Sequence, residues 1–301
     1  MRIVVCVKQV PDTDLPIKID YGATDIEREG LPYVLNPYDR LAMEEASLIR
    51  ERNGVEQVTV VSMGPPSATE VLRTCLAMGA HRAILLCDPA LTNSDSYVSG
   101  VVLAKAIASL ESQYDLILCG ARSVDTNAGL AGATIAEILG ISLVSEVVKI
   151  DVINHDEVRV HKKLERGNRA VIETSLPALL TVEAGINKPR YLKLRAILSA
   201  RKEVIEQYDL KALNLSPEEV GLRASKTRVL NLSQPKPRAK RLFTPDSSLS
   251  GPERMRLVMS GGIAEKKTGG LLEGDTKRLA VGLVQFLREK RLVPGLVSSE
   301  H

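Results

Sequence analysis

Asp115–Gly140, DLILCGARSVDTNAGLAGATIAEILG, reads as a strand, a glycine-containing loop and a helix in succession. The apolar run Leu116 to Cys119 has strand length, and Ile135, Ala136, Ile138 and Leu139 follow a helical pattern. Between them stand Gly120, Asp125, Thr126, Asn127, Gly129 and Gly132, turn-forming or small residues that let a backbone approach a ligand closely. Free N–H groups at the start of such a helix donate to phosphate oxygens, and the helix dipole favours an anion there. The segment suits a monophosphate or a pyrophosphate. It is neither G-x-G-x-x-G nor a Walker A loop, because no Lys-Ser or Lys-Thr follows the glycines, and a strand-to-helix turn without a ligand is the competing reading.

Working outward, strands and helices alternate. Ile3 to Val7, Gln57 to Ser62, Arg82 to Leu86 and Asp115 to Cys119 read as strands, with helices over Asp39 to Arg52, Ser67 to Met78 and Ser94 to Glu111. Apolar runs such as IVVCV, VTVV, AILLC and LILC fit a parallel sheet covered on both faces, and right-handed crossovers make it doubly wound. The expected fold class is therefore α/β with a mostly parallel sheet. Glu146 to Asp151, Glu157 to Lys163 and Arg169 to Thr174 alternate apolar and polar residues, which predicts a small antiparallel section in the same domain, and Pro177 to Val182 returns to an apolar run. Residues 1–202 are expected to form a nucleotide-binding domain. Residues 203–301, with Pro217, Pro235, Pro237, Pro245 and Pro252 and the basic run Lys236 to Arg241, read as an extended C-terminal arm ending in an amphipathic helix, Asp275 to Lys290. Such an arm has little of its own to pack on, which points to a partner subunit.

Composition sets the frame. A chain of 301 residues, 44% hydrophobic and 26% charged, can bury one sizeable core plus an appendage. The net charge of +3 does not argue for nucleic acid, and the run Lys236 to Arg241, interrupted by Pro237, reads as a solvated linker. No apolar run is long enough to span a bilayer, and MRIVVCVKQV enters a strand with no basic leader, so a cytoplasmic location is expected. Cys6, Cys75, Cys87 and Cys119 lie apart in apolar contexts, as reduced core thiols do, and the histidines have no metal-ligand spacing. No general acid or nucleophile constellation is visible, so no catalytic residue is expected.

The motifs VVCVKQVPDTD (Val4 to Asp14), VLNPYDRLAMEEA (Val34 to Ala46), VTVVSMGPPSATEVLRTCLAMGA (Val58 to Ala80), Asp115 to Glu137, and LPALLTVEAGINKPRYLKLRAILSARK (Leu176 to Lys202) resemble, in order and spacing, the beta subunit of electron transfer flavoproteins. The resemblance implies a Rossmann-like fold, a heterodimer with an alpha subunit, and an adenine nucleotide in the crevice at the strand ends. In most members that nucleotide is AMP, with the redox FAD mainly in the alpha subunit; in electron-bifurcating members the pocket holds a second FAD. Carried over by motif, the cofactor residues are Cys6, Val7 and Lys8 after the first strand, Asn36, Pro37, Tyr38 and Asp39 in the NPYD turn, and Met63 and Gly64 after the next strand. Around the phosphates the resemblance places Arg122, Ser123, Val124, Asp125, Thr126, Asn127, Ala128 and Gly129, followed by Leu130, Ala131, Gly132, Ala133, Thr134 and Ile135. Asn36 offers amide donor and acceptor edges suited to adenine or ribose, while Asp125 either accepts from ribose or bonds its own loop. Thr126, Asn127 and Thr134 offer donors, and Arg122 a fixed positive charge.

KQVPDT and NPYD resemble the bifurcating and nitrogen-fixation-associated branch, so FAD is preferred over AMP, although GARSVDTNAGLAGAT departs from that branch's usual GRQAIDGDTAQVGPQ. That reading makes NADH the hydride donor, with electrons passing to ferredoxin or flavodoxin, to the alpha-subunit FAD, or to quinone-linked acceptors. The family uses Pro189 to Lys202 as a recognition loop for acyl-CoA or other flavin dehydrogenases, and Leu194 matches its anchoring leucine. Read from the residues alone, this stretch is a basic amphipathic helix on its own domain. A universal-stress-type nucleotide sensor would share the sheet but leaves the arm and the recognition motif unexplained.

Overall fold

Ile3, Val4, Val5, Cys6 and Val7 are buried on both sides, as a strand covered by helices on two faces must be. They form β1 (Arg2–Val7), near the centre of the computed structural model, which describes residues 1–19, 25–28, 30–111, 113–152, 154, 156–233, 245–259 and 274–289. The chain continues through a short antiparallel pair, β2 (Gln9–Pro11) with β3 (Tyr33–Leu35), then α1 (Pro37–Asn53), β4 (Gln57–Met63), α2 (Thr69–Met78), β5 (Arg82–Leu86), α3 (Ser96–Leu110), β6 (Leu116–Gly120) and α4 (Leu130–Leu139). After these come β7 (Ser142–Val152), β8 (Glu157–Lys163), β9 (Arg169–Ser175), β10 (Ala178–Val182), α5 (Leu194–Ala200), β11 (Glu206–Tyr208) and α6 (Gly221–Ala224).

One nine-stranded sheet has the order β11-β5-β4-β1-β6-β10-β7-β8-β9. Pairing is parallel from β11 to β7 and antiparallel in the β7-β8-β9 meander, so the expected α/β class with a mostly parallel sheet and a small antiparallel section is what the chain forms. Alternate residues feed two cores. Ile3, Val5 and Val7 pack with Met43 and Ile49 of α1 and Leu72 of α2, while Val4 and Cys6 face Val98 and Val102 of α3 and Ile135 of α4. The chain steps from β1 to β4 and β5, then returns to lay β6 on the other side of β1. Strand order thus reverses between β1 and β6, and the loops at their carboxyl ends part over a crevice.

Two departures from expectation have physical causes. The strand expected from Glu146 begins at Ser142, because β7 first pairs in parallel with β10 and turns to antiparallel pairing with β8 only after a bulge, from Val147. Glu146 takes φ 56° there and donates its N–H to Thr181 Oγ1 at 3.0 Å. Past Lys202 the chain returns to the sheet instead of extending away: β11 pairs with β5, and Leu210, Leu213, Leu215 and Val220 join the core beside α3. Arg82 on β5 meets Glu206 at 2.6 Å and the buried Glu111. Asp95, which caps α3 by accepting the Val98 N–H, also accepts the N–H groups of Lys226 and Thr227.

The first compact unit accordingly runs through residue 234, and residues 235–301 form a second. In the second unit α7 (Gly251–Met259) exposes Met255 and Met259, and α8 (Thr276–Glu289), in the place expected for the terminal helix, exposes Val281, Leu283, Val284 and Phe286. The run Lys236 to Arg241 lies outside the described residues. Among those residues no helix is long and apolar enough to cross a membrane.

Helices α3 and α4 touch where Gly100 faces Thr134: a Cβ on residue 100 would stand 2.6 Å from the Thr134 Cβ and 3.0 Å from the Ala131 carbonyl. Gly100→Ala gains about 1 kcal/mol of helix propensity but overpacks this contact by roughly 1–3 kcal/mol. Urea titration should therefore show a variant no more stable than the wild type; a clear gain in stability would mean that the two helices part freely.

Candidate functional site

Asn36 and Asp39 stand at the start of α1, where Pro37 occupies the first helical position that its missing N–H suits. Asn36 is an N-cap in position only. Its Nδ2 donates to the Arg122 carbonyl at 3.0 Å, its Oδ1 accepts the Val124 N–H at 3.1 Å, and its own N–H donates to the Lys8 carbonyl at 3.0 Å. The buried Asp39 carboxyl accepts the N–H of Lys8 at 2.8 Å and that of Gly120 at 3.0 Å. One turn of α1 therefore pins the ends of β1 and β6 on both sides of the crevice. Gly120 is required for this, because a Cβ at that position would lie 2.4 Å from Asp39 Oδ1.

The loop after β6 is closed on itself. The Ser123 N–H reaches the Ala128 carbonyl, the Ser123 and Thr126 hydroxyls lie 2.9 Å apart, and Asn127 turns the chain at φ 52°. Asp125 Oδ1 accepts the Thr126 N–H while Oδ2 holds the Lys8 ammonium at 2.6 Å, tying this loop to the one after β1. Burial pushes the Asp125 carboxyl up, and the charge and hydrogen bond of Lys8, joined by the Ser123 hydroxyl and the Thr126 N–H, more than reverse it, leaving it below its ordinary value. Gln9 links the same β1 loop to Ser67 after β4, with Nε2 on the Ser67 carbonyl at 3.1 Å and the Ser67 hydroxyl on Oε1 at 3.0 Å. Met63 ends β4 beside β1, Gly64 follows it, and the Gly64 N–H donates to the Leu86 carbonyl.

Arg122 is engaged rather than free. Its guanidinium meets Glu183 at 2.5 Å, sits 5.4 Å from the Tyr38 ring centroid, and has Glu146 at 3.9 Å. Glu183 is buried; burial raises its carboxyl, and Arg122, aided by the Ala184 N–H and the Lys163 charge, overcomes that and holds it below the usual range. Beside this pair a cleft of about 270 Å³ opens between α4 and the ends of β10 and β7. Its walls include Arg122, Asn127, Gly129, Leu143, Glu146 and Thr181.

Of the residues expected around phosphate, several turn inward. Ile135 lies in the core, Thr134 donates its hydroxyl to the Leu130 carbonyl within α4, and Gly132 lies where a Cβ would meet Cys119 Sγ at 2.8 Å. Cys6 and Val7 are core side chains, and burial, seconded by the Asp39 charge, pushes the Cys6 thiol up to about 12. What α4 presents is its N-terminal backbone: no side chain caps the helix at Gly129, and Leu130 is exposed. Sequence reading missed Glu146, Thr181 and Glu183. An acid directly after the mostly apolar strand ALLTV was a usable signal for Glu183, whereas nothing in the sequence marks the bulge that aims Glu146. Among the described residues no cluster of histidine, cysteine or acidic side chains could hold a metal ion.

Residues 24–213 match the family model described as the electron transfer flavoprotein domain. The chain belongs to the electron transfer flavoprotein family. It is 40% identical over 235 residues to the caffeyl-CoA reductase-Etf complex subunit CarD of Acetobacterium woodii, covering 78% of this chain and 88% of that protein. With the electron transfer flavoprotein subunit beta of Thermoanaerobacterium thermosaccharolyticum it shares 40% over 246 residues, 81% of this chain and 92% of the relative. Protein FixA of Azotobacter vinelandii is 36% identical over 261 residues, 85% and 92% of the two chains. Within the family the chain takes the beta-subunit role, and the Rossmann-like architecture and the motif resemblance agree with these relatives.

The Asp39 carboxyl is pushed up to about 7 by burial, against the opposing pull of the Asn36 amide and the Lys8 and Gly120 N–H groups. An unfolded aspartate titrates near 3.9, so between the two values the folded flavoprotein subunit binds the extra proton. This contribution to stability is complete below about pH 3.9 and is lost as pH rises through about 7. Denaturation midpoints across pH 4 to about 8 should contain this falling component, and Asp39→Asn should lack it; the same pH slope in the variant would assign the titration to another group.

Proposed function

We propose that this beta subunit pairs with an alpha subunit in a cytoplasmic heterodimer and holds the adenylate and phosphate portion of FAD in the crevice between the ends of β1 and β6. The observation that carries this reading is the convergence of three loops at a strand-order reversal, pinned by Asn36 and Asp39, with the uncapped N-terminus of α4 beside them. The groups present fit a phosphorylated ligand. The α4 amides provide donors at the positive end of the helix, and the half-exposed Lys8 ammonium is a cation that Asp125 keeps in place and a phosphate would share. Asn36 and Asp39 act on the ligand through the backbone they position, since their polar atoms bond Lys8, Gly120, Arg122 and Val124. Tyr38, with Arg122 over its ring, and Met63 border the same loops.

A flavin bound here would supply hydride acceptance from NADH and one-electron transfer to ferredoxin or flavodoxin, to the alpha-subunit FAD and to quinone-linked acceptors. The chain's own contribution is to bind, orient and tune. Support for a bifurcating role comes from the KQVPDT and NPYD motifs and from likeness to a subunit of a caffeyl-CoA reductase-Etf complex and to FixA. The exposed α5, with Leu194 at its start, is the surface offered to an acyl-CoA or other flavin dehydrogenase, and the second unit, with its exposed apolar residues on α7 and α8, is offered to a partner subunit.

Acid release of nucleotides from the purified heterodimer should yield two FAD and no AMP. One FAD with one AMP would place a structural nucleotide in the crevice and remove NADH-driven bifurcation. Leu194→Ala should slow electron exchange with the dehydrogenase while leaving the nucleotide content unchanged; loss of nucleotide would instead make Leu194 part of the fold.

A further inference from the structure

Residues 186–205 leave the core and return to it. Ile186, Leu192 and Ile205 pack on the cluster beneath α1 and α2, and Ala200 is buried within it, whereas Tyr191 is 98% and Leu194 72% exposed. Exposed segments of this size ordinarily gain mobility from a lack of internal bonds. This one is held at both feet.

At the first foot, Asn187 Nδ2 donates to the Leu41 carbonyl at 3.0 Å and to Glu45 at 2.9 Å. Arg190 donates its backbone N–H and its Nε to Glu44, at 3.1 and 3.0 Å, and its Nη1 to Glu51 at 2.6 Å. Glu44 and Glu45 are both buried, so these are not loose surface pairs, and losing one partner would leave a buried acid uncompensated. At the second foot, Arg73 of α2 donates Nη1 to the carbonyls of Ala200 and Arg201, at 3.0 and 2.9 Å. Those carbonyls belong to the last turn of α5, where backbone acceptors lack helical partners and a cation is favoured.

We infer that Glu44, Arg190 and Arg73 are positioning residues that hold α5 as a preformed docking element, with Leu194 and Leu198 raised toward a protein partner whose apolar pocket is rimmed by carboxylates. The sign of that rim follows from the surface. Lys188, Lys193, Arg195, Arg201 and Lys202 surround the apolar residues, and Glu203 is the one acid between 188 and 203. Fixing such a segment before binding removes an ordering cost from association, so the clamp contributes to affinity without touching the partner. The inference rests on the reading that Leu194 docks a dehydrogenase.

The test uses the heterodimer with its alpha subunit, and acyl-CoA dehydrogenase reduced by its acyl-CoA substrate as the probe. Arg73→Gln should speed amide hydrogen exchange across residues 194–201 and raise the KM for the probe on the order of tenfold, with kcat and bound nucleotide unchanged. Arg73→Lys, which keeps donors for the two carbonyls, should fall between wild type and Arg73→Gln, and Arg190→Lys should act in the same direction from the other foot. Leu194→Ala should raise KM without altering exchange. If Arg73→Gln leaves exchange or KM unchanged while Leu194→Ala raises KM, the clamp is wrong and the docking reading stands. Wild-type KM in Leu194→Ala, or no transfer from the probe to the wild type, overturns the docking reading itself. A fall in nucleotide content or in the thermal midpoint of the whole complex in step with KM makes Arg73 a fold residue and overturns the clamp.

Discussion

The Asp39 carboxyl accepts one N–H from the end of β1 and one from the end of β6, so the two sides of the crevice opened by the strand-order reversal are pinned by the same buried group. The ladder between these two strands ends at Cys6 and Cys119, so the next amides, of Lys8 and Gly120, are free to donate to the carboxyl. A carboxylate at the first turn of a helix suits the positive end of the dipole, but burial opposes its charge. Gly120 completes the arrangement by leaving space for the oxygen that approaches it.

The same economy governs the charges around the crevice. Lys8 faces Asp125 and Arg122 faces Glu183, so each cation has its counter-ion within the subunit before any ligand arrives. An anionic ligand bound as proposed would meet positions already fixed, with backbone N–H groups at the start of α4 as donors that need no rearrangement. Several glycines that suggest ligand approach serve packing instead. Gly132 lets α4 lie against Cys119 and Thr181, and Gly129 lies where a Cβ would stand 2.6 Å from the Ala121 carbonyl.

Helix α1 connects the two regions to which function is proposed. Its first turn pins the crevice loops, and farther along Glu44, Glu45 and Glu51 hold the base of the segment that carries Leu194. The buried acids are matched by Asn187 and Arg190 at a sequence separation of about 140 residues, which is why no local pattern announces the pairing. The short β11 and the leucines after it were hidden for a related reason: a three-residue strand and four scattered apolar residues have no periodicity of their own, and become core only against β5 and α3.

By itself the sequence determined the alternating strands and helices, the parallel pairing and the place of the glycine-containing loop, because burial on two faces demands continuous apolar strands and turns demand particular residues. Its ordered motifs also determined the family. Tertiary structure decided which polar groups remain for a ligand and which serve the scaffold. Asn36, Asp39 and Thr134 read as ligand contacts in the sequence, yet in the fold Asn36 and Asp39 bond the backbone of distant loops and Thr134 bonds within its helix. The bulge at Glu146 and the burial of Glu183 likewise arise only where β7, β10 and the β6 loop meet. The reason is common to all of them: a side chain's type limits the bonds it can make, but which buried amide or carbonyl lies within 3 Å is set by strands brought together from far along the chain.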